Sequence, residues 1–177
     1  MKKILLIIIF LFIFIPINVF ASKDVVKLSK CVDGDTAKFI INGKKITARF
    51  LAVDTPESVH PKKKVEPFGK EASRYTCNSL KNAKKIEIEY DSNSTKTDKY
   101  DRHLVWVFID NELLQEKLVE KGYTKVAYLY GNYKYTNLLK AKEAVAIKNK
   151  VGIYSDDDTR NDELIDILLK IIKKLLK

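Results

Sequence analysis

The sequence predicts a mainly β protein with α elements (α+β), a five-stranded Greek-key barrel of the OB type carrying three helices. Two patterns point there. Short segments with strand periodicity occur first in a set of three and then in a set of two, separated by turn signals. The helical segments fall between and after those sets instead of alternating with each strand, as they would around a parallel sheet. Composition agrees with a packed domain. The 177 residues are 46% hydrophobic and 32% charged, with six Gly and four Pro, which excludes collagen-like and low-complexity chains. Two Cys and two His exclude a disulfide-rich scaffold, a four-thiolate zinc site and a multi-histidine metal site.

Residues 1–21 read as a secretory signal peptide. Lys2 and Lys3 precede an apolar run over 4–15, Pro16 interrupts it, and Val19-Phe20-Ala21 has the small-residue cleavage pattern. The run is short for a membrane span, which takes about 20 apolar residues. Cleavage after Ala21 leaves a chain of 156 residues with a charge of +8, in a secreted or periplasmic setting. There Cys31 and Cys77 either pair as a disulfide or remain two buried thiols.

Residues 22–155 form the expected barrel domain. Residues 25–32 read as a strand, Asp33-Gly34-Asp35 as a turn, and 36–41 as a second strand with Ala37, Phe39 and Ile41 on one face. Asn42-Gly43 is a strong hairpin signal. Residues 44–53 alternate as one continuous return strand, and 54–68 read as a polar, proline-punctuated loop. A helix follows over 69–82, with Ala72, Thr76 and Leu80 aligned. Residues 85–90 read as a half-buried strand with Glu87 and Glu89 outward, and 104–109 as a strand apolar on both faces. Helices are expected at 113–121, stopped by Gly122, and at 136–150.

Residues 156–177 form an acidic linker and an amphipathic helical tail. Nine aliphatic residues between Leu164 and Leu176 share it with four lysines. Two readings stand: the tail docks on the barrel or on a second copy, or it lies on an anionic membrane surface. Docking is preferred, because apolar helical faces are usually buried in protein.

The residue types that can do chemistry gather around strand ends. Asp35 opens one strand, Asp54 closes the next, and Glu57 follows beyond Thr55-Pro56. Two carboxylates brought together repel unless a cation lies between them, and an all-oxygen donor set suits a hard ion such as Ca²⁺ or Mg²⁺. Arg49 lies on the strand leading to Asp54, and Arg102 ends the loop Asp98-Lys99-Tyr100-Asp101. Two guanidinium forks beside a cation make a phosphate clamp, and a carboxylate can deprotonate water. Tyr100, Tyr128 and Tyr130, among Lys99, Lys125 and Lys134, fit base stacking over a nucleic-acid strand.

In order and spacing, these segments resemble the staphylococcal nuclease (thermonuclease) family. The likeness runs through Val32-Asp33-Gly34-Asp35-Thr36, Arg49-Phe50-Leu51, Val53-Asp54-Thr55-Pro56-Glu57 and His60-Pro61-Lys62-Lys63. It continues through Asn82-Ala83-Lys84-Lys85-Ile86-Glu87, Thr97-Asp98-Lys99-Tyr100 with Arg102, and Lys125-Val126-Ala127-Tyr128. The resemblance implies an OB-fold and a Ca²⁺-dependent endonuclease that acts on DNA and RNA and leaves 3′-phosphates. It implies Asp35, Asp54 and the Thr55 carbonyl as Ca²⁺ ligands, and Glu57 as the group that positions or activates water. It implies Arg49 and Arg102 as the phosphate clamp, with Lys99, Tyr100 and Tyr128 around the bound nucleotide. A monomer is expected. One departure stands out: the family pattern has Gly where this chain has Asp101. Asp tolerates a left-handed backbone better than most residues, and its carboxylate is expected to point to solvent.

Overall fold

The computed structural model describes residues 23–58 and 65–155. The signal-like segment, the His60-Pro61-Lys62-Lys63 motif and the amphipathic tail lie outside the described residues. The strands are β1 (Asp24–Cys31), β2 (Thr36–Ile41), β3 (Lys44–Phe50), β4 (Val53–Asp54), β5 (Ile86–Glu89), β6 (His103–Ile109), β7 (Glu112–Leu113) and β8 (Lys125–Val126). The helices are α1 (Gly69–Asn82), α2 (Leu114–Glu120) and α3 (Thr136–Lys148), with a 3₁₀ turn at Gly152–Tyr154.

β1, β2 and β3 form an antiparallel meander whose hairpin turns at Asn42 (φ 48°) and Gly43 (φ 75°). β1 also pairs with β5, and β5 with β6. The barrel closes where β6 runs parallel to β3, with Ala48 opposite His103 and Phe50 opposite Val105. This closed five-strand barrel with three helices is the OB-type α+β architecture expected. Closure leaves one continuous interior, and Phe39, Phe50, Ile88, Trp106 and Leu114 fill it.

The structure corrects three details of the sequence reading. The strand expected over 44–53 is two strands, broken at Leu51 and Ala52, where Ala52 takes φ 60°. Arg49 holds this break: its Nη1 donates to both the Phe50 and Val53 carbonyls at 2.8 Å. β5 is buried along its whole length rather than on one face. Glu89 is only 1% exposed, because Lys134 (2.6 Å) and the Tyr135 hydroxyl (3.1 Å) close over its carboxylate. The third helix ends at Lys148, where Asn149 and Lys150 leave the helical conformation.

Two long-range ties set the relation of helices to barrel. Cys31 at the end of β1 and Cys77 in α1 form a disulfide across 46 residues. Gln115 in α2 presents its buried amide to β6, accepting from the Val107 N–H and donating to the Val105 carbonyl. Gln115 thereby ties α2 to the middle of β6, where the Val105 carbonyl also accepts from the Leu51 N–H at 3.0 Å.

Candidate active site

At the β1–β2 turn the chain must pass close to the loop after β4, and the glycine there permits it. A Cβ on Gly34 would lie 2.7 Å from the Thr55 side chain. Thr76 of α1, fully buried, donates its hydroxyl to the Gly34 carbonyl at 2.6 Å. The turn is therefore pinned from both sides, and Asp35 is presented at a fixed position. Its Oδ2 accepts from the Thr55 N–H (2.9 Å) and hydroxyl (3.0 Å), and its Oδ1 from the Thr36 hydroxyl (3.0 Å).

Asp54 is brought beside Asp35 by the break after β3. Two carboxylates this close call for a cation between them, and the protein supplies one of its own. The Arg49 guanidinium lies 3.2 Å from Asp35 and 3.5 Å from Asp54. Arg49 therefore does not stand as an open phosphate clamp: two carboxylates and two carbonyls already engage its nitrogens. Reading residue types in isolation could not show that the arginine and the acids satisfy one another.

One arginine does not balance this cluster, because Asp33 joins it. Asp33 accepts from the Asp35 N–H at 3.1 Å. Burial first, and then the Asp35 charge, push its carboxyl up to about 6. Burial and the same neighbour also raise Asp54, against the pull of Arg49 and Lys125. The site thus retains negative charge that Arg49 leaves uncompensated. Among the described residues no group of three or more His, Cys, Asp or Glu side chains is close enough to hold a metal ion by side chains alone. Oxygen donors from two carboxylates plus a backbone carbonyl are the alternative composition, and hard cations accept it together with water.

Glu57 sits on the rim, in a loop braced by Glu66. Its N–H donates to the Glu66 carboxylate at 3.0 Å, and its carbonyl accepts from the Glu66 N–H at 2.9 Å. Gly69 lies against this loop so closely that a Cβ would fall 2.4 Å from the Glu57 carbonyl. On the opposite wall, Asp98 organises the 98–102 turn. It accepts from the Tyr100 and Arg102 N–H groups and grips Arg102 through Nε and Nη2, both at 2.7 Å. Burial pushes Asp98 up, but the bonds from Arg102 and Tyr100 outweigh it and leave this carboxyl below its ordinary range. Asp101 takes φ 59°, the left-handed backbone that explains a glycine at this position elsewhere, and its side chain is exposed outside the cleft lining.

These walls enclose one cleft of about 710 Å³. Asp35, Arg49, Asp54, Thr55, Glu57, Lys99, Tyr100, Arg102 and Tyr128 all line it, whereas Lys125 and Lys134, read beside the tyrosines in the sequence, do not. Tyr100, Tyr128 and Tyr130 offer exposed rings at its mouth. The Arg102 guanidinium lies 5.4 Å from the Tyr100 ring centre, and Arg49 lies 5.5 Å from that of Tyr128. Lys134 does not join them; it is committed to Glu89. Asp33, Asp98 and Thr76 are the residues that sequence reasoning did not single out. The i, i+4 spacing of Asp98 and Arg102 was a usable signal for one, whereas nothing local links Thr76 to a carbonyl 42 residues away.

The family model described as staphylococcal nuclease homologue matches residues 47–156. The chain is 41% identical over 131 residues to the endonuclease YncB of Bacillus subtilis (strain 168), covering 73% of this chain and 61% of that protein. It is 40% identical over 131 residues to the SPbeta prophage-derived endonuclease YokF of the same organism, of which it spans 44%. It is 36% identical over 136 residues to the thermonuclease of Staphylococcus hyicus, covering 77% of this chain and 79% of that one. The chain therefore spans less than two thirds of the two Bacillus relatives.

Proposed function

Since the chain belongs to the staphylococcal nuclease family, we propose that it is an exported endonuclease that hydrolyses phosphodiester bonds of DNA and RNA, with Ca²⁺ as cofactor and 3′-phosphate products. The relatives named as endonucleases and as a thermonuclease support the reaction class. The observation that carries the reading is the single cleft joining an acidic cluster, a rim carboxylate, two arginines and exposed tyrosines. Export is inferred from the leader-like first 21 residues, and the Cys31–Cys77 disulfide fits an oxidising compartment.

Asp35, Asp54 and the Thr55 carbonyl would hold the ion, and the residual negative charge around Asp33 favours a divalent one. Bound there, it supplies Lewis-acid polarisation of a phosphoryl oxygen. Every other part belongs to the chain. Glu57 accepts a proton from water approaching the phosphorus. Arg102, oriented by Asp98, faces the charge that grows on the phosphoryl oxygens, and such stabilisation is worth about 10²–10³ in rate per donor. Arg49 lines the same cleft and would reach the phosphate by giving up its contacts to Asp35 and Asp54, which the ion would then hold. Tyr100 and Tyr128 stack on bases, which suits unpaired strands.

The test is cleavage of plasmid DNA and single-stranded RNA with Ca²⁺ or with excess chelator. Cleavage in Ca²⁺ that stops with chelator is expected. A Glu57→Gln protein should lose about 10²–10⁴ in turnover while binding nucleotide normally. Cleavage by Glu57→Gln at the parent rate removes its assigned role, and no cleavage by the parent under any divalent ion removes the enzyme reading.

A further inference from the structure

The face of the β2–β3 hairpin that delivers Arg49 to the cleft does not end there. Residues directly opposite each other on antiparallel strands share a face. Thr36 faces Arg49, Lys38 faces Thr47, and Ile40 faces Lys45. Neighbouring β1 extends these rows, because a bulge between Leu28 and Lys30 sets Lys27 opposite Ile40 and Lys30 opposite Lys38. Lys27, Lys30, Lys38 and Lys45 therefore stand on one outer surface with Arg49, while Ala37, Phe39, Ile46 and Ala48 fill the barrel from the other side. Two residues of strand separate successive rows, so the rows lie about 7 and 14 Å from the Arg49 row, and Lys27 to Lys45 spans about 10 Å across the strands.

This surface is arranged against its own stability. Lys30 and Lys38 are directly paired like charges, a destabilising combination across strands. Among the described residues, no carboxylate forms an ion pair with any of the four lysines. Glu87, which faces Val25 from β5, is taken by Lys85 at 3.1 Å. Lys27, Lys30 and Lys45 are exposed and Lys38 half-exposed.

We propose that the outer face of β1–β3 is an accessory site for the phosphate backbone of a nucleic-acid strand, carrying substrate beyond the cleft along Lys38, Lys30, Lys27 and Lys45. The proposal deepens the nuclease reading and rests on it for the identity of the strand. Continuity with the Arg49 row favours nucleic acid over another polyanion, since Thr36 and Arg49 line the cleft and the first lysine row lies about 7 Å from theirs. The face adds reach on long substrates and contributes nothing to a dinucleotide.

The test replaces Lys27, Lys30, Lys38 and Lys45 together by Gln. A control protein carries Lys70→Gln, Lys81→Gln, Lys140→Gln and Lys148→Gln, four exposed lysines of the helices with the same loss of charge. Binding of a fluorescent 30-nucleotide single strand and of a dinucleotide is measured in chelator between 50 and 200 mM salt. Four phosphate contacts on a single strand contribute about 3 to the slope of log affinity against log salt. The face variant should bind the 30-mer at least about tenfold more weakly at low salt, with the slope reduced by about 2–3, while its dinucleotide affinity stays at the parent value. Equal losses in the face variant and the control, or an unchanged 30-mer slope, would overturn the proposal. So would weakened binding to vesicles containing anionic phospholipid with 30-mer binding intact, which would assign the face to a membrane. Because binding is read without turnover, a parent that fails to cleave in Ca²⁺ defeats the enzyme reading while leaving this measurement to decide the face.

Discussion

Replacing Arg49 by Met tests the claim that the protein's own cation holds the acidic cluster together. Arg49 is 9% exposed. Its removal deletes two 2.8 Å bonds to the carbonyls at the strand break and contacts of 3.2 and 3.5 Å to Asp35 and Asp54. Charge-assisted bonds contribute about 1.5–3 kcal/mol each, and the four contacts act as one unit rather than additively. Breaking a buried pair by removing one partner costs about 3–5 kcal/mol, because the remaining charge is left uncompensated. Arg49→Met should therefore lower unfolding stability in chelator by about 3–5 kcal/mol. Arg49→Lys keeps the charge but replaces a planar fork with a single ammonium, and should fall between Met and the parent. The assay is equilibrium denaturation with the slope checked for constancy. Adding Ca²⁺ should stabilise Arg49→Met more than the parent, since the ion then meets two carboxylates without a competing guanidinium. A Met variant within about 1 kcal/mol of the parent, or a Lys variant equal to it, would refute the argument; the cost of breaking a buried pair is well above that margin.

Thr76→Val removes the hydroxyl from the Gly34 carbonyl without changing shape. It should cost about 1–3 kcal/mol by denaturation, and titration should show Ca²⁺ affinity falling about 10–100-fold. Replacing Cys31 and Cys77 by Ser opens a loop of 46 residues and should lower stability by about 4 kcal/mol in the chain-entropy model, measured against the oxidised parent. In chelator, Asp33 has a folded-state carboxyl raised to about 6, so its contribution is complete below pH 4 and is lost as pH rises through 6. Denaturation midpoints from pH 4 to 7.5 should show the parent losing ground to Asp33→Asn across that window, and parallel profiles would remove the shift. Gly69→Ala forces a Cβ against the Glu57 carbonyl and should reduce turnover through the displaced loop, with nucleotide affinity retained in a binding assay.

The elements of the barrel were legible locally. Alternation marked β2, a short apolar run marked β6, Asn42-Gly43 marked the hairpin, and Gly122 marked the end of α2, because side-chain pattern and positive φ are properties of a few adjacent residues. The site residues were legible as a set, since strand ends carrying Asp35, Asp54 and Arg49 follow from the same pattern. The split between β3 and β4 was not, because alternation continues through Leu51 and Ala52, and only the Arg49 fork across the break reveals it.

The sequence by itself determined which residue types were available for chemistry and where the longer strands, turns and helices would lie, but not the two-residue strands β4, β7 and β8. It also determined that an aspartate could occupy the left-handed position at 101. Tertiary structure decided who neutralises whom. That Arg49 reaches Asp35, that Asp35 meets Thr55, that Thr76 pins the turn and that Cys31 meets Cys77 all depend on groups distant in the chain. Their energies fall steeply with separation and rise with burial, so they take a value only after the barrel has closed.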